Sequence, residues 1–470
     1  MGLNETPSGE RVHIAFFGRR NAGKSSVMNA VTGQALSVVS EVKGTTTDPV
    51  SKAMELLPLG PVVMIDTPGI DDEGELGALR VKKSYEVLGK TDTAVLVIDG
   101  TEGAAAADLE LLRKLEERRI PVIVVWNKTD LAADGRKPGI GGQQENVDEP
   151  GKDSTTGKEN AAEPERPEKS GGGQLPSSKA VPEPEGTDKA RRSQTENPQL
   201  PAELQALADV GRLIFVSAKT GAGISELKEC LARAAKQEEP KRQLVGDLIQ
   251  KNDLVILVIP IDKAAPKGRL ILPQQQTIRD ILERGAYALT VRDMELPALL
   301  AAGTLSPKLV ITDSQVFGSV SNCVPPEIPL TSFSILFARY KGDLETAVRG
   351  AAALSQIRDG DKILISEGCT HHRQCEDIGT VKLPGWIRDY TGREPEFQFT
   401  SGTEFPEDLR DYKLIVHCGA CMLNEREMQT RLRRAAEQGV AMTNYGILIA
   451  YMKGILKRSV AVFPEIAALL

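Results

Sequence analysis

The sequence predicts an α/β protein in which a P-loop domain is followed by two smaller α/β, Rossmann-like domains. A phosphate-loop motif at residues 18–25 lies between a strand pattern and a helix pattern. Strand-like apolar runs alternate with helical runs over much of the remaining chain. At 470 residues, the chain is also too long for one hydrophobic core. The predicted domains span residues 1–240, 241–344 and 345–470.

The composition excludes several classes of protein. With a formal net charge of −7 and no basic run, the chain lacks the electrostatic footprint of a nucleic-acid-binding protein. No apolar stretch is long enough to cross a bilayer, and the N-terminus has no signal region. Six cysteines in so long a chain do not form a disulfide framework. We therefore expect a protein of the cytoplasm, or of another reducing compartment, that binds neither nucleic acid nor membrane.

The phosphate-loop motif follows a short apolar run at residues 13–18 that reads as a buried strand. Its glycines let backbone N–H groups surround a β-phosphate, and the dipole of the next helix adds to the attraction. Lys24 is predicted to reach the β- and γ-phosphates, and Ser25 to bind Mg²⁺. The predicted nucleotide contacts of this loop are Gly18, Asn21, Ala22, Gly23, Lys24, Ser25 and Ser26.

Two further segments have the pattern of switch regions. The strand at 61–66 ends in Asp-Thr-Pro-Gly, where Asp66 can hold the Mg²⁺ shell and the N–H of Gly69 can sense the γ-phosphate. Between this segment and the P-loop lies a Gly-Thr-Thr-Thr-Asp stretch, in which Thr46 best fits the Mg²⁺-binding threonine. We predict that Lys24, Thr46 and Gly69 take part in catalysis.

The base is predicted to be guanine. The strand at 121–127 ends in Asn127-Lys128-Thr-Asp130, whose carboxylate can accept hydrogen bonds from the guanine N1–H and amine; adenine does not offer this pair. Later in the chain, Ser217-Ala218-Lys219 matches the last guanine-contacting loop. Four motifs in this order predict GTP binding and hydrolysis.

Two residues predict how hydrolysis proceeds. Ile70 stands where Ras-like enzymes place a water-orienting glutamine, and in this the sequence resembles the TrmE–Era branch of GTPases. That resemblance implies slow intrinsic turnover. Asn21 matches the asparagine that helps bind K⁺ in potassium-stimulated members of the branch, so we expect K⁺-stimulated hydrolysis.

A long polar insertion is predicted at residues 132–203. Pro, Gly, Ser, Glu and Lys dominate, and no aromatic residue occurs between Trp126 and Phe215. Such a composition cannot bury enough apolar surface to offset its ordering entropy, so we expect a disordered excursion from the first domain.

The middle domain is predicted from strand-like runs and one helix pattern after Pro273. It has no phosphate loop and no catalytic group, so a role in coupling or dimerisation is expected. The predicted strands are 253–262, 286–291, 308–312 and 334–338, and the helix is 274–284.

The last domain concentrates cysteine and histidine in two short stretches. The predicted strands 362–366 and 413–417 each run directly into one stretch, at the edge where open α/β sheets place ligands. Asn424 with Glu427 then predicts a capping box that opens a helix. The two stretches together contain Cys369, His371, His372, Cys375, His417, Cys418 and Cys421.

These residue types predict a metal centre. Cys369, Cys418 and Cys421 form a set, because Cys-x-x-Cys spacing lets two thiolates reach one centre. Zinc would need four protein ligands and would take a histidine as the fourth, and the composition alone favours zinc. A 4Fe-4S cluster is the alternative, because it can take three thiolates and leave one iron with a weaker ligand. His371 can approach the centre, while alternation along an extended segment directs His417 away from it. His372, Cys375 and an exogenous group also stay open as the fourth ligand.

The combination of a TrmE-like domain with Cys-x-His and His-Cys-x-x-Cys at the C-terminus resembles the HydF family, the GTPases among the FeFe-hydrogenase maturation proteins. The resemblance covers essentially the whole chain outside the insertion. The cysteine motif is its specific part; Cys375 and the insertion are its departures. The matching segments are 18–25, 66–69, 127–130, 369–371, 417–421 and 443–446.

The resemblance implies a G domain, a dimerisation domain and a cluster domain. A 4Fe-4S cluster would be bound by Cys369, Cys418 and Cys421, with a labile fourth site. The family is thought to be a scaffold or carrier for a two-iron precursor, assembled by radical-SAM maturases (HydE, HydG) and passed to apo FeFe-hydrogenase. It implies a homodimer or a higher homo-oligomer.

An alternative is a TrmE- or Era-like GTPase of tRNA modification or ribosome assembly with a structural zinc site. The negative net charge of the chain and the lack of an RNA-binding module argue against this alternative.

Overall fold

The computed structural model describes residues 6–34, 49–71, 74–131, 200–236, 243–261, 270–368 and 378–470. Residues 132–199, most of the predicted insertion, lie outside the described residues. So do five of the predicted site residues, namely Thr46, Cys369, His371, His372 and Cys375. The described chain forms three β-sheets with helices packed against them.

The first sheet has six strands: β1 (Val12–Phe17), β2 (Val50–Leu56), β3 (Gly60–Asp66), β4 (Thr93–Asp99), β5 (Val122–Asn127) and β6 (Leu213–Phe215). Their order is β2-β3-β1-β4-β5-β6, and only β2 runs antiparallel to its neighbour. Every residue of β4 and β5 is buried, as expected where helices cover both faces of a parallel sheet. Its helices are α1 (Lys24–Thr32), α2 (Gly74–Val87), α3 (Ala106–Glu117), α4 (Ala202–Asp209) and α5 (Ile224–Lys236).

The second sheet has four parallel strands: β7 (Leu254–Val258), β8 (Tyr287–Val291), β9 (Leu309–Thr312) and β10 (Leu330–Ser332). Their order is β10-β9-β7-β8. Its helices are α6 (Leu272–Glu283), α7 (Leu296–Ala301), α8 (Phe317–Cys323) and α9 (Phe333–Lys341).

The prediction of a strand at 334–338 is wrong, because these residues lie in α9. The helix begins where the Ser332 hydroxyl accepts a hydrogen bond from the Ile335 N–H at 3.3 Å, which is an N-cap. The side chains of Ile335, Leu336 and Phe337 are all buried. A short run with three consecutive buried apolar residues is compatible with a strand or with a helix, so the sequence pattern does not distinguish them.

The third sheet also has four parallel strands: β11 (Lys362–Glu367), β12 (Glu396–Ser401), β13 (Tyr412–His417) and β14 (Ala441–Asn444). Their order is β12-β11-β13-β14, so β11 and β13 are adjacent in the middle. Ser366 is paired with His417, which brings the loops after these two strands together. The helices are α10 (Leu344–Ala351), α11 (Leu383–Thr391), α12 (Glu425–Glu437), α13 (Tyr445–Met452), α14 (Leu456–Ser459) and α15 (Pro464–Ala467).

The second and third sheets share one hydrophobic core. Leu257 and Phe337 from the former and Ile365 and Ile447 from the latter belong to it. The first sheet has separate cores on its two faces. The predicted fold class is thus confirmed: a P-loop α/β domain is followed by two smaller α/β sheets. Within the described residues, no helix has the length and apolar character that a bilayer span requires.

Candidate active site and metal centre

The P-loop connects β1 to α1 at the C-terminal edge of the first sheet. A Cβ on Gly18 would lie 2.2 Å from the Val97 carbonyl oxygen, and one on Gly23 would lie 2.3 Å from the Asn127 Nδ2. Both residues have positive φ, so neither position accepts a side chain without strain. Lys24 is buried, and its Nζ donates to the carbonyls of Gly18 (3.0 Å) and Arg19 (2.8 Å). The loop therefore encloses the ammonium predicted to bind phosphate.

An oxygen pair suited to Mg²⁺ lies beside this loop. The Ser25 hydroxyl in the first turn of α1 donates to the Asp66 carboxylate at the end of β3, at 2.5 Å. Hydroxyl and carboxylate oxygens are ligands that Mg²⁺ accepts. The donor set therefore fits the predicted metal, with Thr46, the third predicted contributor, outside the described residues.

The two predicted guanine-binding segments meet at the ends of β5 and β6. Asn127 Nδ2 donates to the Ala22 carbonyl at 2.9 Å, and its Oδ1 accepts from the Ala218 N–H at 3.2 Å. Ser217 Oγ donates to Asp130 Oδ1 at 2.7 Å, which orients that carboxylate. Sequence-distant motifs are thus joined by hydrogen bonds around one edge of the sheet, near the P-loop.

The two lysines of the predicted guanine-binding segments, Lys128 and Lys219, differ in their surroundings. The Lys128 ammonium lies 2.5 Å from Asp99 at the end of β4, which fixes the side chain beside the base-binding segment. Lys219 is exposed in the turn before α5.

The segment after Asp66 is folded back onto the P-loop. The Ile70 N–H donates to the Gly18 carbonyl at 3.3 Å, and Asp71 Oδ1 accepts from the Arg20 N–H at 2.6 Å. Ile70 is buried in the core on one face of the first sheet, so its side chain cannot orient water. Asn21, the predicted K⁺ contact, is exposed with φ of 60° at the turn of the loop.

The sequence reasoning missed an arginine that anchors the P-loop. Arg19 Nε donates to Asp108 Oδ2 at 2.9 Å, and Arg19 Nη2 donates to the Gly103 carbonyl at 2.7 Å. The Asp108 side chain is fully buried in the first turn of α3, and burial raises its pKa while Arg19 opposes that shift. In the sequence, the only indication of this contact is that Asp108 falls on the buried face of α3. Its partner, Arg19, lies 89 positions away and cannot be identified from a local pattern.

The cysteine loop (residues 418–424) connects β13 to α12 at the C-terminal edge of the third sheet. The Cys418 sulfur accepts hydrogen bonds from the N–H groups of Gly368 (3.0 Å) and Ala420 (3.4 Å). Ala420 has φ of 54°, which turns the backbone between the two cysteines. Asn424 caps α12 by accepting from the Glu427 N–H at 3.0 Å, so half of the predicted capping box is present.

The surroundings of the two thiols suit a bound metal. Burial raises the pKa of Cys418 to about 11, and the neighbouring Cys421 adds to the shift. Burial likewise raises the pKa of Cys421. The charge of a metal overcomes such desolvation and deprotonates thiols, and the two backbone N–H groups already point at the Cys418 sulfur. The described part of the loop therefore fits a thiolate-bound group.

His417 is fully buried and engaged at both ring nitrogens. Nδ1 lies 2.9 Å from the Cys418 carbonyl, so it carries the proton, and Nε2 then accepts from the Arg431 guanidinium at 3.0 Å. Burial, reinforced by Arg431, lowers the pKa of His417 to about 3, so the ring is neutral. In this arrangement neither nitrogen is available to a metal, and the position fits a residue that orients the cysteine loop.

The rest of the predicted ligand set lies outside the described residues, as it includes Cys369, His371, His372 and Cys375. Within the described ranges, no group of three or more His, Cys, Asp or Glu could hold a metal ion. Cys418 and Cys421 are therefore the described half of the predicted centre.

The cysteine loop and α12 contact the first domain directly. Asn424 Nδ2 donates to the Lys90 carbonyl at 2.8 Å, and Thr430 Oγ1 donates to the Gly89 carbonyl at 3.0 Å. These carbonyls belong to a 3-10 turn (Leu88–Lys90) that directly follows α2. The turn that follows α2 is thus hydrogen-bonded to the N-terminal part of the helix that follows the cysteines.

Three family descriptions match successive parts of the chain. Residues 13–128 match "50S ribosome-binding GTPase", residues 244–342 match "Hydrogen maturase F dimerization domain", and residues 345–462 match "Hydrogen maturase F tetramerization domain". Together these matches cover more than two thirds of the chain.

Curated relatives resemble the first domain. The tRNA modification GTPase MnmE of Laribacter hongkongensis is 33% identical over 126 residues, which are 27% of this chain and 28% of that protein. GTPase Der of Kosmotoga olearia is 32% identical over 136 residues, 28% of this chain and 30% of that protein. The chain therefore spans less than a third of the length of these relatives.

Among solved structures, a variant of Aquifex aeolicus Era bound to GDP·AlF4⁻ is 18% identical, with a TM-score of 0.30. The similarity covers 60% of this chain and 92% of that one.

The motifs, the sheet order and the first match define a P-loop GTPase domain with two additional α/β domains. Both additional domains match descriptions specific to one family. The chain belongs to the hydrogen maturase F (HydF) family.

Proposed function

We propose that this chain is a GTP-hydrolysing iron–sulfur scaffold that carries a two-iron precursor to apo FeFe-hydrogenase. One observation carries the proposal: two partly buried cysteines, with backbone N–H groups directed at one sulfur, lie on a loop that is hydrogen-bonded to a GTPase domain. The matches to two hydrogen maturase F domains connect that loop with hydrogenase maturation. We also propose domain boundaries near residues 240 and 344. The names of the two matched domains support a homo-oligomer.

The proposed cluster is a 4Fe-4S cluster held by Cys369, Cys418 and Cys421. When bound, it would supply an iron with a labile fourth position at which a two-iron precursor can attach. His417 contacts the Cys418 carbonyl and is itself held by Arg431, so the pair orients the start of the cysteine loop. The N–H groups of Gly368 and Ala420 stabilise thiolate charge on Cys418. Precursor delivery would involve radical-SAM maturases similar to HydE and HydG.

The experiment that tests the scaffold role uses the reconstituted full chain, loaded with a synthetic two-iron mimic and mixed with apo FeFe-hydrogenase. Hydrogen evolution that depends on the loaded chain supports the proposal. If the hydrogenase gains no activity beyond that given by the same mimic without the chain, the carrier role is wrong.

In the G domain, we propose that Lys24 and the P-loop amides neutralise the phosphates while Ser25, Asp66 and Thr46 hold Mg²⁺. Gly69 would follow the γ-phosphate through its N–H. Ile70 points into the core and supplies no hydrogen bond to water, so hydrolysis should be slow.

Hydrolysis should be faster in potassium chloride than in sodium chloride at equal ionic strength. The reason is that Asn21 stands exposed at the turn of the P-loop, where its side chain can complete a K⁺ shell beside the phosphates. The measurement is the rate of phosphate release in the two salts. Asn21→Ala should abolish the difference, and equal rates for the unchanged chain would contradict the assignment.

GTP state is proposed to reach the cysteine loop through α2. The helix has 14 residues and is therefore about 21 Å long. It connects the segment after Asp71 to the carbonyls of Gly89 and Lys90, which bind Thr430 and Asn424. Coupling of this kind is typically about 1–3 kcal/mol, enough to shift a docking equilibrium. GTP hydrolysis would thus time the exchange of partners.

Asn424→Ser should disconnect the two sites without unfolding α12. Serine is also a good N-cap, but it lacks the amide that donates to Lys90. Hydrogen exchange of residues 418–424 should differ between GDP and a non-hydrolysable GTP analogue in the unchanged chain, and the difference should be lost in the variant.

Asn444→Ser is the matched control. Asn444 caps α13 in the same way, but its amide donates to the Ser334 carbonyl in α9 instead of to the first domain. This control should keep the nucleotide effect. A nucleotide effect that persists in Asn424→Ser would contradict the route through α2.

A further inference from the structure

Lys341 brings a buried positive charge to the cysteine loop. It is the last residue of α9, and its side chain is 3% exposed. Its Nζ donates to the carbonyls of Leu423 (3.0 Å), Cys421 (3.2 Å) and Gly9 (3.4 Å). Three N–H groups thus meet three carbonyls, two in the cysteine loop and one in the N-terminal segment. One side chain from the second sheet's domain connects the two other domains.

The counter-charge comes from the N-terminal segment. Glu10 Oε1 lies 2.8 Å from the Lys341 ammonium, and the Glu10 side chain is 22% exposed. This contact has the distance of an ion pair, but its geometry does not meet that of a hydrogen bond, whereas the three carbonyl contacts do. The carboxylate therefore acts through its charge.

The N-terminal segment fits closely on the loop. A Cβ on Gly9 would lie 2.5 Å from the Leu423 carbonyl oxygen and 2.9 Å from that of Cys421. Arg11, two residues on, donates to the Met54 carbonyl in β2 at 3.0 Å. The position of Glu10 is thus fixed from both sides, by the cysteine loop and by the first sheet.

Two other charges near the loop have partners within their own domain, whereas Arg426 in the first turn of α12 pairs with Asp92 of the first domain at 3.7 Å. Arg431 pairs with Glu427 at 3.1 Å, and Glu367 at the end of β11 is within 3.3 Å of the Tyr445 hydroxyl. Lys341 and Glu10 come from outside that domain, and the Lys341 ammonium bonds to the backbone of a cysteine in the loop.

We infer that Lys341 is a positioning residue that holds the cysteine loop and raises the reduction potential of the cluster, and that Glu10 lowers it. The inference rests on the proposed function, because it requires a redox-active cluster on this loop. Reduction adds negative charge to a group already bound by thiolates. A buried cation hydrogen-bonded to this loop stabilises the reduced state more than the oxidised one, and a nearby carboxylate has the opposite effect.

The test is a potentiometric titration, followed by EPR, of the reconstituted full chain and its variants. Lys341→Met should shift the midpoint potential to lower values, and Glu10→Gln should shift it to higher values. Lys341→Arg keeps the positive charge, so its midpoint potential should stay close to that of the unchanged chain. Arg339→Met is the matched control, since it removes a positive charge from the same helix. The Arg339 guanidinium pairs with Asp247, in the second sheet's domain, at 2.7 Å.

Opposite shifts in the Lys341 and Glu10 variants, with little change in the Arg339 control, support the inference. Equal potentials in all chains that hold a cluster overturn it while leaving the scaffold role intact. If Lys341→Met does not keep its cluster, Glu10→Gln decides, because that side chain is partly exposed and its loss leaves the three carbonyl contacts in place. A shift of Glu10→Gln to lower potential, or none, overturns the inference. An unchanged chain that takes up no iron overturns the proposed function and this inference with it.

Discussion

Cys418→Ala should leave the chain without a stable iron–sulfur cluster. The substitution removes one of three proposed thiolates and leaves the N–H groups of Gly368 and Ala420 without the sulfur they now point at. Two remaining thiolates cannot hold a cubane cluster against chelators, because such clusters are normally bound by at least three. Iron content after anaerobic reconstitution and desalting should fall from about four atoms per chain to below about one.

Cys323→Ala is the control for this experiment. Cys323 ends α8, away from the cysteine loop, and its sulfur is within 3.3 Å of the Val320 carbonyl in its own helix. That variant should keep its full iron content. Far-ultraviolet circular dichroism and the thermal unfolding midpoint establish that both variants are folded. Full iron in Cys418→Ala would remove Cys418 from the ligand set.

Lys24→Ala should abolish most GTP hydrolysis. The ammonium is enclosed by the P-loop, with its Nζ 2.8–3.0 Å from two loop carbonyls. It is therefore placed to stabilise charge that develops on the phosphates in the transition state. Loss of one such preorganised donor typically costs roughly 10²- to 10³-fold in turnover. Phosphate release at saturating GTP measures this directly.

Lys114→Ala is the matched control in the same domain. Its ammonium pairs with Glu110 at 2.7 Å on the exposed face of α3, away from the P-loop. Turnover should stay within about twofold of the unchanged chain, because exposed ion pairs contribute little. Turnover in Lys24→Ala comparable to that of the control would contradict the role given to Lys24.

The parts of this protein that the sequence predicts best are those in which a few consecutive residues fix the chemistry. The P-loop has this property, since its glycines, lysine and serine must be adjacent in sequence to surround a phosphate. The structure places Ser25 against Asp66 and Ser217 against Asp130, as such motifs require. The Cys-x-x-Cys spacing of Cys418 and Cys421 predicts a metal-binding loop in the same local way.

The parts that the sequence does not predict depend on partners far apart in the chain. Lys341 reads as an ordinary basic residue at a helix end until Gly9 and Glu10 are brought to it, more than 300 positions away. Arg431 reads as one of several arginines on α12, and only the fold directs it to His417. These contacts follow from how the domains pack, which local patterns do not determine.

The helix at 333–341 shows a different limit. The sequence pattern predicts a strand at 334–338, whose three central residues are all apolar and buried, and so short an apolar run has no periodicity that separates helix from strand. The N-cap Ser332 was the local signal for a helix.

The most direct test of the account is iron and sulfide analysis with EPR of the full chain, reconstituted under anaerobic conditions and reduced with dithionite. The account predicts about four irons and four sulfides per chain and a paramagnetic signal from the reduced cluster. Stoichiometric zinc with no paramagnetic signal would contradict it, and would instead indicate a GTPase with a structural zinc site.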